Sequence, residues 1–392
     1  MCMTAPMPII TDTQSLSEFC ERLSKSAYIT VDTEFMREKT YWPQLCLVQL
    51  ANEDEALAVD ALADGLDLTP LLDLMADESV LKVFHAARQD LEIFYKLADQ
   101  LPKPLFDTQV AAMVCGFGDS VGYETLVSKL AGEQVDKSSR FTDWSKRPLT
   151  DKQIAYALAD VVHLRPVYRK LKKKLDQTGR ARWLDEEMAI LTAPETYRME
   201  PEDSWRRLKV RTTDSRFLSV AREVAAYRER EAQTRDVPRN RVIRDEAITE
   251  IAAHRPRDAK ALERIRAVPD GFARGRMGVA VLEAVERALA LPEEDRLQVA
   301  DKPNLPRGLG PVIDLLKVLL KMKCDEHNVA PKLIANVAEL ERIAADDEAD
   351  VPALRGWRRE VFGADALALK HGEVGLTIRK GRMALVRQNE RA

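Results

Sequence analysis

Hydrophobic positions in the first ninety residues fall into short runs separated by polar turns. Tyr28-Ile29-Thr30-Val31-Asp32 is β-rich. Leu45-Cys46-Leu47-Val48-Gln49-Leu50 is almost continuously apolar, the pattern of a strand buried on both faces. Leu57-Ala58-Val59 follows the acidic turn Asn52-Glu53-Asp54-Glu55, so the three runs predict an antiparallel meander. Val80–Phe84 predicts a fourth strand, and the apolar spacing from Asp90 to Leu97 predicts a helix after it. Mixed strands followed by helices imply an α/β sheet covered on both faces.

From about Thr150 onward the periodicity is helical, with Leu171–Leu175 prolonging one such helix. Pro194 and Pro201 bracket a linker near 192–204. Two stretches of several short amphipathic helices follow, without a strand pattern, at 205–292 and 300–380. The breaker-rich segment Asp301-Lys302-Pro303-Asn304-Leu305-Pro306-Arg307-Gly308 separates them. The predicted organisation is a first domain over 1–192 and two helical domains, 205–292 and 300–380. The polar tail after about Arg379 is expected to be loose.

Three acidic islands stand inside this apolar pattern: Asp32-Thr33-Glu34, Asp90, and Tyr156-Ala157-Leu158-Ala159-Asp160. Carboxylates avoid apolar surroundings unless paired or bound to metal. Asp32 and Glu34 are two apart at a strand end and so share a face. Tyr156 and Asp160 are four apart in a helical segment and share one too. Asp90 opens the helix after the fourth strand. Each island alone is commonplace, a surface pair or an N-cap; together they predict a site for two divalent cations, Mg²⁺ or Mn²⁺. Two such ions stabilise the attacking and leaving oxygens of an in-line displacement at phosphorus. Asp32 is expected to bridge both ions, with Glu34 and Asp160 completing the site for the attacking water. Asp90 is expected to act through an ion-held water, and Tyr156 to orient the attacking one.

The chain has 392 residues, 45% hydrophobic and 32% charged, a globular composition sufficient for two or three cores. No apolar run reaches the ~18 residues of a membrane span. The N-terminus lacks the basic and apolar regions of a secretory signal. Five scattered cysteines with no CxxC read as reduced thiols. These features lead us to expect a cytoplasmic protein without a membrane partner. The net charge of −4 is uneven. Residues 1–200 hold 23 Lys+Arg against 32 Asp+Glu, and residues 201–392 hold 37 against 32. The acidic half suits a metal site, and the basic half could attract a polyanion.

Val31-Asp32-Thr33-Glu34-Phe35, Phe84-His85-Ala86-Ala87-Arg88-Gln89-Asp90-Leu91 and Tyr156-Ala157-Leu158-Ala159-Asp160 resemble the three motifs of the DEDD 3′-5′ exonucleases. The tyrosine four before Asp160 marks the DEDDy branch; a histidine would mark the other branch from position 155, where Ala155 stands. Tyr41-Trp42-Pro43-Gln44-Leu45, Asp107-Thr108-Gln109, Asp136-Lys137-Ser138, Thr142-Asp143-Trp144 and Arg147-Pro148-Leu149 extend the likeness over about 8–190, toward the ribonuclease D family. Asp236-Val237-Pro238, Ile251-Ala252 and Arg255-Pro256 make about 210–290 similar to an HRDC domain, and 300–380 resembles a more divergent copy. The resemblance implies an α/β ribonuclease-H-like exonuclease domain followed by two all-α HRDC-like domains. It further implies hydrolysis of RNA from the 3′ end, release of nucleoside 5′-monophosphates and trimming of tRNA precursors. No protein partner is implied.

In such a site Phe35 and Met36, directly after the first carboxylate pair, are candidates for a wedge between the last two bases, with core packing as the alternative. Tyr41, Trp42 and Gln44 are candidates for the channel. His85 is a candidate catalytic base or substrate contact, with a buried, hydrogen-bonded histidine as the alternative. Lys137, Arg140, Lys146, Arg147 and Lys152, interleaved with Phe141 and Trp144, form a basic stretch that suits a phosphate track or a solvated loop. The residues themselves leave three activities open: an exoribonuclease acting on a single-stranded 3′ end, a DNA 3′-5′ exonuclease, and a non-catalytic RNA-binding scaffold. The intact carboxylates argue against the last.

Overall fold

The computed structural model describes residues 9–136, 138–139, 142–298, 306 and 308–387. Six strands form one mixed sheet: β1 (Ile9–Ile10), β2 (Tyr28–Met36), β3 (Gln44–Ala51), β4 (Ala56–Asp60), β5 (Leu81–Phe84) and β6 (Leu105–Asp107). Their spatial order is β1-β4-β3-β2-β5-β6. The predicted meander is β2-β3-β4, antiparallel throughout, and β5 joins β2 in parallel. Every residue of β3 after Gln44 is buried.

Among the described residues, α1 (Thr13–Leu23), α2 (Thr69–Ala76), α3 (Arg88–Ala98), α4 (Thr108–Val114), α5 (Tyr123–Leu126), α6 (Asp151–Thr178) and α7 (Ala181–Leu191) accompany this sheet, and α8 (Ser215–Arg235) follows in the first helical unit. α6 starts at a capping box, Thr150 and Gln153 each satisfying the other's backbone N–H. It is pinned to the central strand where Thr30 Oγ1 donates to Val161 O at 2.8 Å.

The first helical unit has its own core, built on α8, Asp245–His254 and Arg276–Ala290. The second, built on Gly310–His327 and Val337–Ala345, shares one continuous apolar core with the sheet domain. That junction is tight. Gly116 has a φ of +81°, and a Cβ there would stand 2.5 Å from Asn328 O. Arg180 donates to Val114 O and Asn328 O, both at 3.0 Å, and Trp183 stacks on Trp357 with ring centres 4.3 Å apart.

One expectation fails here. The described part of the tail, up to Arg387, closes a hairpin, β7 (Val374–Arg379) with β8 (Arg382–Arg387), and does not run loose. Lys380-Gly381 turns it with both residues at positive φ, and Leu376 and Leu385 pack its base on the core. The apolar alternation was too short and too basic to stand out. Most of the separator 301–308 lies outside the described residues.

Candidate active site

β2 runs through the middle of the sheet and delivers Asp32 and Glu34 by simple alternation. Its register with β3 shifts between Glu34 and Phe35, a bulge directly after the acidic pair. α6 brings Asp160 from the crossing helix. One ligand oxygen from each of Asp32, Glu34 and Asp160 lies within 4.8 Å of the others. Asp90, in the first turn of α3 and only 7% exposed, stands outside that group; its Oδ1 accepts the Thr33 hydroxyl proton. Tyr156 hydrogen-bonds the Asp160 side chain and packs on Trp144, ring centres 6.1 Å apart. Asp32, Glu34, Tyr156 and Asp160 open into a cavity of about 410 Å³ walled by His85 and Tyr123.

All four carboxyls are held above the usual carboxylate range. Burial pushes Asp32 up to about 6. Burial, then the charge of Asp32, pushes Asp160 up to about 8 against the hydrogen bond from Tyr156. Burial and the charges of Asp32, Asp160 and Asp90 push Glu34 up to about 10. Asp90 rises for the same reasons, burial first and then Asp32. Among the described residues, no lysine or arginine offsets the repulsion at Asp32, Glu34 or Asp160. An all-oxygen donor set with mutually repelling negative charges fits a hard divalent cation.

The second motif carries backbone strain. Ala86, between His85 and Asp90, has a φ of +57°. Asp107 holds it there: its carboxylate accepts Ala86 N at 3.1 Å and Ala87 N at 2.8 Å, and also caps α4 through Gln109 N and Val110 N. The strained turn sets the start of α3 and with it the position of Asp90.

The remaining candidates divide. Phe35 and Met36 are half-buried at the end of β2, Phe35 packing on the main core. Met36 and the exposed Gln44 pair across the strands and line a shallow groove of about 230 Å³ with Thr40 and Asp143. His85 lines the main cavity. Tyr41 does not line the channel: it is buried in the joint with the first helical unit, bonded to Glu229 and Arg239. Trp42 follows it, its N–H bonded to Asp236 and its ring under Lys96 Nζ at 4.3 Å. Arg147, though exposed, is engaged within the domain, its Nε and Nη2 on Asp60 at 2.7 and 2.6 Å and Nη2 also on Cys46 O. Trp144 is 2% exposed beneath Tyr156. Lys137 and Arg140 lie outside the described residues.

Three neighbours of the site went unread in the sequence. Tyr123 walls the cavity and bonds Asp160 O, and Thr33 positions Asp90. Gln49 pairs directly across from Asp32, fully buried with both amide atoms unpartnered in the protein. Its signal was available: it is the one polar residue in the apolar run Leu45–Leu50.

Residues 7–176 match the 3′-5′ exonuclease family and residues 217–285 match the HRDC domain. The chain is 52% identical to ribonuclease D of Nitrobacter hamburgensis over 98% of this chain and 100% of that one. It is 52% identical to ribonuclease D of Granulibacter bethesdensis over 95% of each. Among solved structures it is similar to Escherichia coli RNase D, described as an exoribonuclease involved in structured RNA processing. That likeness has a TM-score of 0.80, 30% identity, and covers 93% of this chain and 98% of that one.

Proposed function

The chain belongs to the ribonuclease D family of 3′-5′ exoribonucleases, and on that premise we propose how its residues carry out the hydrolysis and on which RNA. Asp32, Glu34, Asp90 and Asp160 hold two divalent metal ions, Mg²⁺ or Mn²⁺. The observation that carries this is the convergence of three carboxylates within 4.8 Å. When bound, the ions stabilise the attacking and leaving oxygens at phosphorus. Tyr156, anchored on Asp160, orients the water that attacks the last phosphodiester. Thr33 and the strained turn at Ala86 hold Asp90 in register with β2.

Phe35 and Met36, at the bulge after Glu34, part the last two bases. His85 contacts the terminal nucleotide, and Trp144 supports Tyr156 from beneath. The terminal base has to leave its stack to reach this cavity, so the substrate offers a single-stranded 3′ end. The substrates are tRNA precursors, as the family resemblance implies, and the enzyme works in the cytoplasm. The catalytic domain spans 1–192, and the helical domains span 205–292 and 300–380.

The test is a 5′-labelled RNA with a single-stranded 3′ tail, incubated with and without Mg²⁺ and Mn²⁺. A metal-dependent ladder shortening from the 3′ end, with nucleoside 5′-monophosphate released, supports the reading. Internal cuts overturn it.

A further inference from the structure

His85 sits at the rim of the cavity with its two ring nitrogens in different situations. Nδ1 lies 3.0 Å from Thr108 Oγ1, and Thr108 Oγ1 in turn lies 3.0 Å from Phe84 O. Thr108 is fully buried, so its single hydroxyl proton has no water to turn to. If that proton went to His85, the carbonyl of Phe84 would lose this bond. If it goes to Phe84 O, the hydroxyl oxygen accepts from Nδ1–H and every group in the chain is satisfied. The chain therefore selects the neutral tautomer with its proton on Nδ1. Burial, which pushes the His85 pKa down, keeps that ring neutral.

The consequence falls on the other edge of the ring. Nε2 has a bare lone pair and no hydrogen-bond partner among the described residues. His85 lines the same cavity as Asp32, Glu34, Tyr156 and Asp160. Its ring is braced by Tyr123, with centres 5.4 Å apart, and Tyr123 is tied to the backbone of Asp160. An acceptor fixed in this way cannot serve a phosphate or a carbonyl, which bring no proton. It suits a donor, and the donors that every ribonucleotide end carries, whatever its base, are the ribose hydroxyls.

Resting on the exonuclease reading of this cavity, we propose that His85 Nε2 accepts a hydrogen bond from a hydroxyl of the 3′-terminal ribose, and that the His85–Thr108–Phe84 chain makes this a hydroxyl-selective contact. The hydroxyl is the 2′ or the 3′, and the two are separable by experiment. His85 is thereby a specificity residue: it reads the sugar, while the carboxylates act on the phosphate.

The test measures kcat/KM for three oligoribonucleotides differing only at the 3′-terminal sugar: ribose, 2′-deoxyribose and 3′-deoxyribose. The wild type is expected to lose about tenfold on one of the two deoxy ends, the worth of one good hydrogen bond. In His85→Phe, which keeps a ring against Tyr123, the all-ribose substrate falls to that lower level and the sensitive deoxy end loses nothing more. In His85→Gln, whose amide oxygen can reach the Nε2 position, part of the discrimination returns. The end that is sensitive identifies the hydroxyl. Undiminished discrimination in His85→Phe overturns the proposal, as does an equal loss on all three substrates. His85→Gln repeats the comparison should the phenylalanine variant fold poorly, and lost discrimination there, with folding intact, also counts against it. Absence of metal-dependent cleavage of the all-ribose substrate by the wild type is a different result: it overturns the exonuclease reading itself.

Discussion

The hydroxyl of Tyr41 donates to Glu229 Oε1 across the joint between the catalytic unit and the first helical unit. Glu229 is fully buried, and Arg239 holds it with two bonds of 2.7 and 2.6 Å. Asp236 Oδ1 accepts both Tyr41 N and Trp42 N at 3.0 Å. The loop that leaves the catalytic strand is thus clamped by the helical unit. Arg37, earlier in the same loop, pairs with Glu92, two residues from Asp90.

Tyr41→Phe is expected to cost about 1–2 kcal/mol of unfolding free energy, since a buried carboxylate loses one of its donors. Cleavage of a short oligoribonucleotide should stay within about twofold of wild type. Denaturant melts and steady-state rates check both. A large rise in KM with unchanged stability would restore the channel role expected from sequence.

Tyr156→Phe should slow cleavage by about 100-fold without abolishing it, because the carboxylates stay in place and only the orienting hydroxyl is lost. Single-turnover rates on a 3′-tailed RNA measure this. A rate equal to wild type would show that the hydroxyl has no part in positioning water.

The site carboxyls make metal-free stability depend on pH in a stated direction. Their folded pKa values lie above the unfolded ones, so the bound proton favours the fold. That contribution is complete below the ordinary carboxylate range. It is lost as pH rises through about 6 for Asp32 and about 8 for Asp160. Removing metal with a chelator should therefore lower Tm more at pH 8 than at pH 6, and Asp160→Asn should flatten the difference. Equal metal-dependent gains at both pH values, in both proteins, would contradict the electrostatics described.

Gly116→Ala tests the second joint. The added Cβ meets the Asn328 carbonyl, and the backbone is left-handed there, so a cost of about 2 kcal/mol or more is expected. Limited proteolysis should then release the segment after residue 308 faster than in wild type. An unchanged digestion pattern would mean that this close approach does not hold the second unit in place.

Much of this was legible in the chain. The meander, the fourth strand and the acidic islands follow from periodicity, because strand and helix alternation alone put Asp32 with Glu34 and Tyr156 with Asp160; the parallel pairing of that strand with β2 does not. The DNA-exonuclease and scaffold alternatives fall to the family the chain belongs to. What could not be read was which polar side chains face which domain. Tyr41 and Arg147 stand beside the motifs in sequence, yet each is claimed by a carboxylate distant in sequence, Glu229 and Asp60. Asp90 needed Thr33, and the acceptor role of His85 needed Thr108, contacts that spacing does not encode.

The most direct test of the central claim is a paired measurement on Asp32→Asn: Mn²⁺ binding by the metal-free protein, and single-turnover cleavage of a 3′-tailed RNA. The account predicts weakened metal binding and a cleavage rate lowered by about 1,000-fold or more, equivalent to ~4 kcal/mol of barrier, while RNA affinity changes little. Cleavage within tenfold of wild type, with Mn²⁺ binding intact, would contradict it.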